Sequence, residues 1–344
     1  MDNVARLSPQ DRRDLFVEAA AQLGLSPTVV EKDFWVCFVL HILFWQSSFK
    51  DHFVFKGGTS LSKAYGLIER FSEDVDLVLD SRVIGLEGGL KDLAPLSKTQ
   101  QDKLNKDLNR RAALFIAERL LPELQTLVAP GLQVAIDAAD PQTVAIRYPA
   151  AFAETYIRPE VRLEIGPLAS WVPSEIHSIQ PYAAPLFPAL FKEPACDVVT
   201  IAAERTFWEK ATIPHQEAHR DGLIPKRYSR HYYDLYKLAL SPVKANAFAR
   251  IGLLKDVVEF KTRFYPSQWA RYDLAVPGSF QLLPTDAAGV DIKIDQLAQD
   301  YRDMQIMLFG DPPVFASILA TLQDLQREIN AIQSVVQVAS ANQA

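Results

Sequence analysis

Two runs of mixed apolar and polar residues fill the first part of the chain, over 8–24 and 27–46, and each opens on a serine. Ser8 and Ser26 suit the N-cap position, where a hydroxyl oxygen accepts an otherwise unpaired backbone N–H, and Pro27 suits a first helical position. Both runs are predicted helices. Within the second, "FWVCFVLHILFW" (Phe34 to Trp45) is too short for a membrane span and carries a histidine, so a buried helix is expected. "HFVFKGG" reads as a short strand ending in a glycine turn, followed by a helix over "TSLSKAYGLI" and a second strand, "DVDLVLD". Residues 98–124 carry a long helical pattern, polar first and apolar later. "GLQVAIDA" and "TVAIRYP", separated by "DPQ", predict a hairpin, and "EVRLEIGP" predicts one more strand.

Prolines cluster between about 167 and 197, which predicts a loop or linker. Beyond it the pattern is helical, ending in an amphipathic run over about 312–332. The expected architecture is α+β: a mixed sheet with flanking helices, then a C-terminal helical domain. The boundaries expected are 1–195 for the sheet domain, with its N-terminal helices, and 196–335 for the helical domain.

The 344 residues carry a net charge of −6, so any nucleic-acid contact must come from a local basic patch rather than a uniform coating. Cys37 and Cys196 give no disulfide framework and no metal-binding pair, which fits a reducing, cytoplasmic location. No secretory h-region or membrane span is evident, and a monomer is expected.

The chemistry concentrates in "KGGTSLSKAYGLIERFSEDVDLVLD" (Lys56 to Asp80). It begins like a P-loop but fails as one: Ser62 stands where the second glycine is needed, and Ala64 follows Lys63 where a magnesium-binding hydroxyl belongs. The end of the stretch explains more. Strand alternation gives Arg70, Ser72, Asp74 and Asp76 one parity, placing two carboxylates about 7 Å apart on one face. Hard divalent cations, Mg²⁺ or Mn²⁺, take such oxygen ligands. Gly57 and Gly58 let backbone N–H groups approach a phosphate, Thr59 and Ser60 offer hydroxyls, and Lys63 is near enough to assist. Ser72, two residues before Asp74, would aim its hydroxyl into the same site. A phosphate placed on it would compete with the nucleotide for the metals.

"GGTSL…RFSEDVDL" resembles the nucleotidyltransferases of the AbiEii/AbiGii toxin family, in the DNA-polymerase-β-like superfamily. The resemblance extends through "EKDFWV", "RLEIG", "RTFWEKATIPHQEAHR" and "SRHYYDLYKL", to about residue 330. It implies a metal-dependent transfer of NMP from an NTP to an RNA 3′ end, with tRNA the favoured acceptor, and a cognate antitoxin. It also implies that Glu164 supplies a third carboxylate, as metal ligand or general base, and that Lys210 and Asp234 complete the active site from the helical domain. A lysine can neutralise charge building on a triphosphate, and an aspartate can orient that lysine.

"RDGLIPKRYSRHYYDLYK" interleaves Lys/Arg with four tyrosines, so Lys226, Arg227, Arg230 and His231 are candidate RNA contacts. Lys103, Lys106 and Arg110 form a second basic stripe. His215 and His219 share a helix face, but "HQEAH" is not a zincin motif. Phosphate or RNA contact, or plain packing, is the better expectation. Two other functions stay open: a kinase-like phosphotransferase attacking the γ-phosphate, and a nucleotide-binding interaction module without turnover.

Overall fold

The computed structural model describes residues 1–344 except 71, 73, 153–157, 285–289 and 342–344, with backbone only for 91, 290–291 and 333–341. The chain forms two compact units. One comprises Met1–Gly66 and Phe71–Ile201, the other Leu67–Arg70 and Ala202–Ala344. The expected boundary after 195 therefore moves to Ile201, because the residues beyond 195 form a strand of the sheet, and a four-residue segment from the middle of the first unit belongs to the second.

The first unit holds helices α1 (Asp2–Ala5), α2 (Pro9–Leu23), α3 (Pro27–His41), α4 (Gly57–Lys63), α5 (Lys98–Phe115) and α6 (Leu121–Leu127). Its strands are β1 (Phe53–Lys56), β2 (Asp74–Leu79), β3 (Gln133–Ile136), β4 (Thr143–Arg147), β5 (Glu160–Gly166), β6 (Ser174–Ile179) and β7 (Cys196–Ile201). They make one mixed sheet in the order β3-β4-β5-β2-β1-β7-β6. The predicted hairpin is present as β3 antiparallel to β4. β2 lies between β1, antiparallel, and β5, parallel, so it is an interior strand.

Ser8 and Ser26 cap α2 and α3 by accepting the N–H groups of Asp11 and Val29 at 3.1 and 3.3 Å. α3 is buried on nearly every side, as a helix that is apolar all round must be. Phe34 and Trp35 meet edge to face at 4.9 Å within it. The same helix buries three consecutive charges. Glu31 accepts the N–H of Ala151 at 2.9 Å, Lys32 donates to the carbonyls of Arg158 and Glu160, and Asp33 accepts the N–H of Tyr182 at 2.7 Å. These polar groups tie the helix to the segments around β5 and β6, which is what a buried charge requires.

The proline-rich stretch departs from expectation. It is not loop throughout: Pro173 and Pro181 bracket β6, which pairs antiparallel with β7. β6 is an edge strand, where prolines at the ends remove no ladder hydrogen bond. Likewise the helix expected over "TSLSKAYGLI" ends at Lys63.

The second unit is helical: α7 (Ala203–Ala218), α8 (Ser229–Ala239), α9 (Val243–Ala249), α10 (Gly252–Phe264), α11 (Val290–Met304) and α12 (Phe315–Ala341). Trp208 of α7 stacks on Phe248 of α9 at 5.9 Å and donates its indole N–H to the carbonyl of Ala247. No helix among the described residues is long and apolar enough to cross a membrane.

Candidate active site

Strand register assembles the polar face of the sheet. Asp76 lies opposite Lys56 of β1 on one side and Glu164 of β5 on the other, and Asp74 lies opposite Arg162. Asp74, Asp76, Arg162 and Glu164 are all half-buried, while the alternate residues Val75, Leu77, Leu163 and Ile165 are buried. So alternation does bring the two aspartates and Glu164 to one face.

The glycine turn explains its own composition. Gly57 has φ +78°, and a Cβ there would lie 1.9 Å from Oδ2 of Asp76. Only glycine adopts this backbone conformation without strain and leaves room for the carboxylate against the chain. The neighbouring hydroxyls are spent inward. Thr59 donates to the carbonyl of Asp74, Ser60 to that of Gly57 at 2.9 Å. In this structure the two hydroxyls fasten α4 to β2 and to its own first turn. Gly58 is buried at the same junction.

Lys63 is also placed otherwise than expected. Its ammonium lies 2.5 Å from Asp33 and 3.0 Å from the carbonyl of Gln180, over the ring of Tyr182, with the side chain 6% exposed. Burial pulls its pKa down, but the charges of Asp33, Cys37 and Tyr182 and the Asp33 hydrogen bond together outweigh this and hold the ammonium protonated. In this structure it is the counter-ion of Asp33. Ser72 falls outside β2, which begins at Asp74, so the alternation invoked for its hydroxyl does not extend to it. Arg70 leaves the face entirely and belongs to the second unit.

Three carboxylates are a hard-oxygen donor set and fit a divalent cation in kind. Among the described residues, no three His, Cys, Asp or Glu side chains already converge on one point. Asp74, Asp76 and Glu164 therefore line a face rather than a closed cage.

In the helical unit the structure brings Lys210 and Asp234 together. The Asp234 carboxylate, 0% exposed, accepts Nε and Nη2 of Arg70 at 2.6 and 2.9 Å and lies 2.7 Å from Nζ of Lys210. Burial alone would raise its pKa, but the two cations hold it well below the usual carboxylate range. Burial pulls Lys210 down and Asp234 opposes it. His231 lies 3.5 Å from Lys210, and burial, then the charges of Lys210 and Arg230, keep it neutral.

Lys226 and Arg227 are exposed, while Arg230 and His231 are half-buried. Two of the four tyrosines expected to stack on bases, Tyr232 and Tyr233, are buried in the core. Asp300 of α11 accepts the N–H groups of Arg227 and Ser229 at 2.5 and 2.8 Å, which places an anion at the start of α8. His215 is packed: Nε2 donates to the carbonyl of Arg271 at 3.0 Å, Nδ1 accepts the N–H of Gln281 at 3.1 Å, and burial lowers its pKa to about 4. His219 meets it edge to face at 4.8 Å. On α5, Lys106 and Arg110 pair with Asp102 and Asp107.

Sequence reasoning missed Asp33, Asp137 and the pairing of Arg70. Asp33 had a signal, since a charge inside an apolar helix needs a partner. Asp137, 2.7 Å from Arg162, had none beyond its place at a turn.

The model of the family described as "Nucleotidyl transferase AbiEii toxin, Type IV TA system" matches residues 39–324. No curated protein sequence matches. Among solved structures, the chain is similar to the nucleotidyltransferase toxin MenT4 from Mycobacterium tuberculosis H37Rv, at 19% identity and TM-score 0.43, covering 94% of this chain and 98% of that one. It is similar to a candidate nucleotidyltransferase from H. pylori at 16% identity and TM-score 0.43, covering 90% of this chain and 99% of that one. With the family model spanning most of its length, the chain belongs to the AbiEii family of nucleotidyltransferase toxins of type IV toxin–antitoxin systems.

Proposed function

We propose that this nucleotidyltransferase moves NMP from an NTP to the 3′ hydroxyl of an RNA, with a tRNA acceptor end favoured, in a Mg²⁺-dependent reaction that a cognate antitoxin counters. One observation carries the reading: the Asp76 carboxylate is seated against Gly57 at a glycine turn, with Asp74 on its face and Glu164 in register opposite. Hard-oxygen groups beside a turn whose backbone can approach phosphates support this reading. Asp74 and Asp76 hold the cation with Glu164 assisting, and Gly57 and Gly58 present backbone N–H groups to the triphosphate. The cation, when bound, neutralises charge on the phosphates and polarises the α-phosphorus.

In the transfer, the acceptor oxygen bonds to the α-phosphorus as the bond from that phosphorus to the bridging oxygen breaks, and pyrophosphate leaves. Glu164 takes the hydroxyl proton. Lys226 and Arg227, exposed beside half-buried Arg230 and His231, supply phosphate contacts for the RNA.

The test is incubation of the purified protein with total RNA, Mg²⁺ and each labelled NTP. Label from α-³²P retained on RNA in the wild type, and lost with Asp74→Ala or Asp76→Ala, is the expected result. Label retained only from γ-³²P identifies a phosphotransferase instead. Full transfer by both alanine variants sinks the site assignment.

A further inference from the structure

Arg162 is a cation of the carboxylate face, as is Lys56 opposite Asp76, and three acidic side chains share Arg162. Its Nη1 lies 2.7 Å from Oδ2 of Asp137 and 3.6 Å from Oε1 of Glu160, and its Nε lies 3.4 Å from Oδ1 of Asp74. Only the contact with Asp137 has the length of a charge-assisted hydrogen bond. Register fixes Arg162 opposite Asp74, so the guanidinium stays in the neighbourhood whichever carboxylate takes it.

Asp137 is built to take it. It follows the last residue of β3, and its own N–H donates to the carbonyl of Thr143 at 2.9 Å. Its Oδ1 accepts the N–H groups of Ala139 and Asp140 at 2.9 and 3.2 Å, an Asx turn that locks the side chain. With Oδ1 committed to the turn, Oδ2 is the oxygen aimed at Arg162. The hydrogen bond from Arg162 also holds Asp137 below the usual carboxylate range, so it stays an anion at neutral pH.

We infer that Asp137 is a positioning residue of the transfer site: it draws Arg162 toward the hairpin turn and keeps the guanidinium from closing on Asp74. An arginine fork closes readily on a single carboxylate with two parallel bonds. Without Asp137, the guanidinium has Glu160 at 3.6 Å on its own strand and, on the strand opposite, Asp74 at 3.4 Å, the residue proposed to hold the cation. A divalent ion would then compete with a bidentate guanidinium for the same oxygens. With Asp137 in place it competes with one held at 3.4 Å. Arg162 thus stays beside the carboxylates, balancing their mutual repulsion, without sealing them. This inference rests on the reading that Asp74 ligates the metal.

The test is Mn²⁺ binding to the full chain, followed by electron paramagnetic resonance, in wild type, Asp137→Asn, Arg162→Gln, the double variant and Asp74→Ala. Asparagine also forms Asx turns, so the hairpin survives the first substitution. Asp137→Asn is expected to weaken Mn²⁺ binding roughly fivefold, the worth of one partly exposed ion pair. Arg162→Gln should bind at least as tightly as wild type. The double variant should match Arg162→Gln, because Asp137 then has nothing to position. Were Asp137 merely structural, the double variant would be as weak as Asp137→Asn. That result, or an unchanged affinity in Asp137→Asn, overturns the positioning role while Asp74→Ala still abolishes binding. Mn²⁺ binding untouched by Asp74→Ala overturns the metal assignment and the positioning role together.

Discussion

The two charged clusters of this molecule use the same residue types in opposite ways. On the sheet face, Asp74, Asp76 and Glu164 are half-buried, and Arg162 holds Asp74 only at 3.4 Å. In the helical unit, Asp234 is fully buried and gripped by Arg70 and Lys210 at 2.6 and 2.7 Å. Taking a charge out of water is costly unless a partner compensates it closely, so the helical cluster must be balanced for the unit to fold. The sheet cluster is half-buried, keeps access to water, and is under no such requirement. A carboxylate's role is legible from how closely its neighbours have neutralised it.

The largest expected effect breaks the helical side of the comparison. Asp234→Ala leaves Arg70 and Lys210 buried without their anion and should cost about 3–5 kcal/mol of stability. Denaturant unfolding checks it; a loss under about 1 kcal/mol would mean the cluster is not structural. Acid should act on the same carboxylate. Its folded pKa is depressed, so its stabilisation is complete above the unfolded value, about 3.9, and fades as pH falls below that. Lys210→Met separates two roles for the lysine. Transfer lost with stability near wild type marks it as a group acting on the nucleotide, and stability lost with it marks it as Asp234's counter-ion.

His215 sharpens the point with a base instead of an acid. Its folded pKa of about 4 lies below the ordinary 6.5, so the unfolded chain takes the proton first. Its contribution is complete above pH 6.5 and is lost as pH falls toward 4, a swing of up to roughly 3 kcal/mol. His215→Gln should flatten the stability profile across that window. An unchanged slope would mean that burial does not hold the ring neutral.

On the sheet side, Gly57→Ala should cost about 1–2 kcal/mol for the left-handed backbone alone. It should also abolish transfer, since the new methyl overlaps Asp76. By contrast Asp76→Ala should lower transfer on the order of 10²–10³-fold, the scale of losing one preorganised charged group, while stability stays near wild type. If Asp76→Ala destabilised the fold as much as Asp234→Ala, the distinction between the clusters would fail.

Much of this was readable from the sequence because it is local. N-caps, the hairpin and the alternation through Asp74 and Asp76 depend on residues a few positions apart. What was not readable is where a side chain finds a distant partner. Thr59 and Ser60 were identifiable as donors, but not their acceptors, which are backbone carbonyls. Lys63 was identifiable as a cation near the turn, but its anion, Asp33, sits on another helix. β7 pairs in parallel with β1, far back in the chain, so the prolines around 181–194 gave no hint of a strand following them. Arg70 misled because a parity argument was carried past the start of β2 into a segment that belongs to the other unit.

The smallest effect expected is on α5, where charge is neither buried nor functional. Lys106 lies 2.8 Å from Asp102 one turn earlier, with side chains 77% and 62% exposed, and Arg110 lies 2.7 Å from Asp107. Such pairs contribute about 0.3–0.5 kcal/mol, because water screens them and long side chains lose entropy in pairing. Each of the two is already paired with an acid on its own helix, so it has less to gain from a polyanion. Lys106→Ala with Arg110→Ala should therefore leave stability within about 1 kcal/mol of wild type. RNA affinity and its salt dependence should also stay unchanged. Neutralising Lys226 and Arg227 should lower the salt slope by roughly one unit for each RNA phosphate left without its cation. A reversed outcome, with α5 setting the salt slope and 226–227 silent, would move the RNA-binding surface to α5 and show that pairing within a helix does not disqualify a basic stripe.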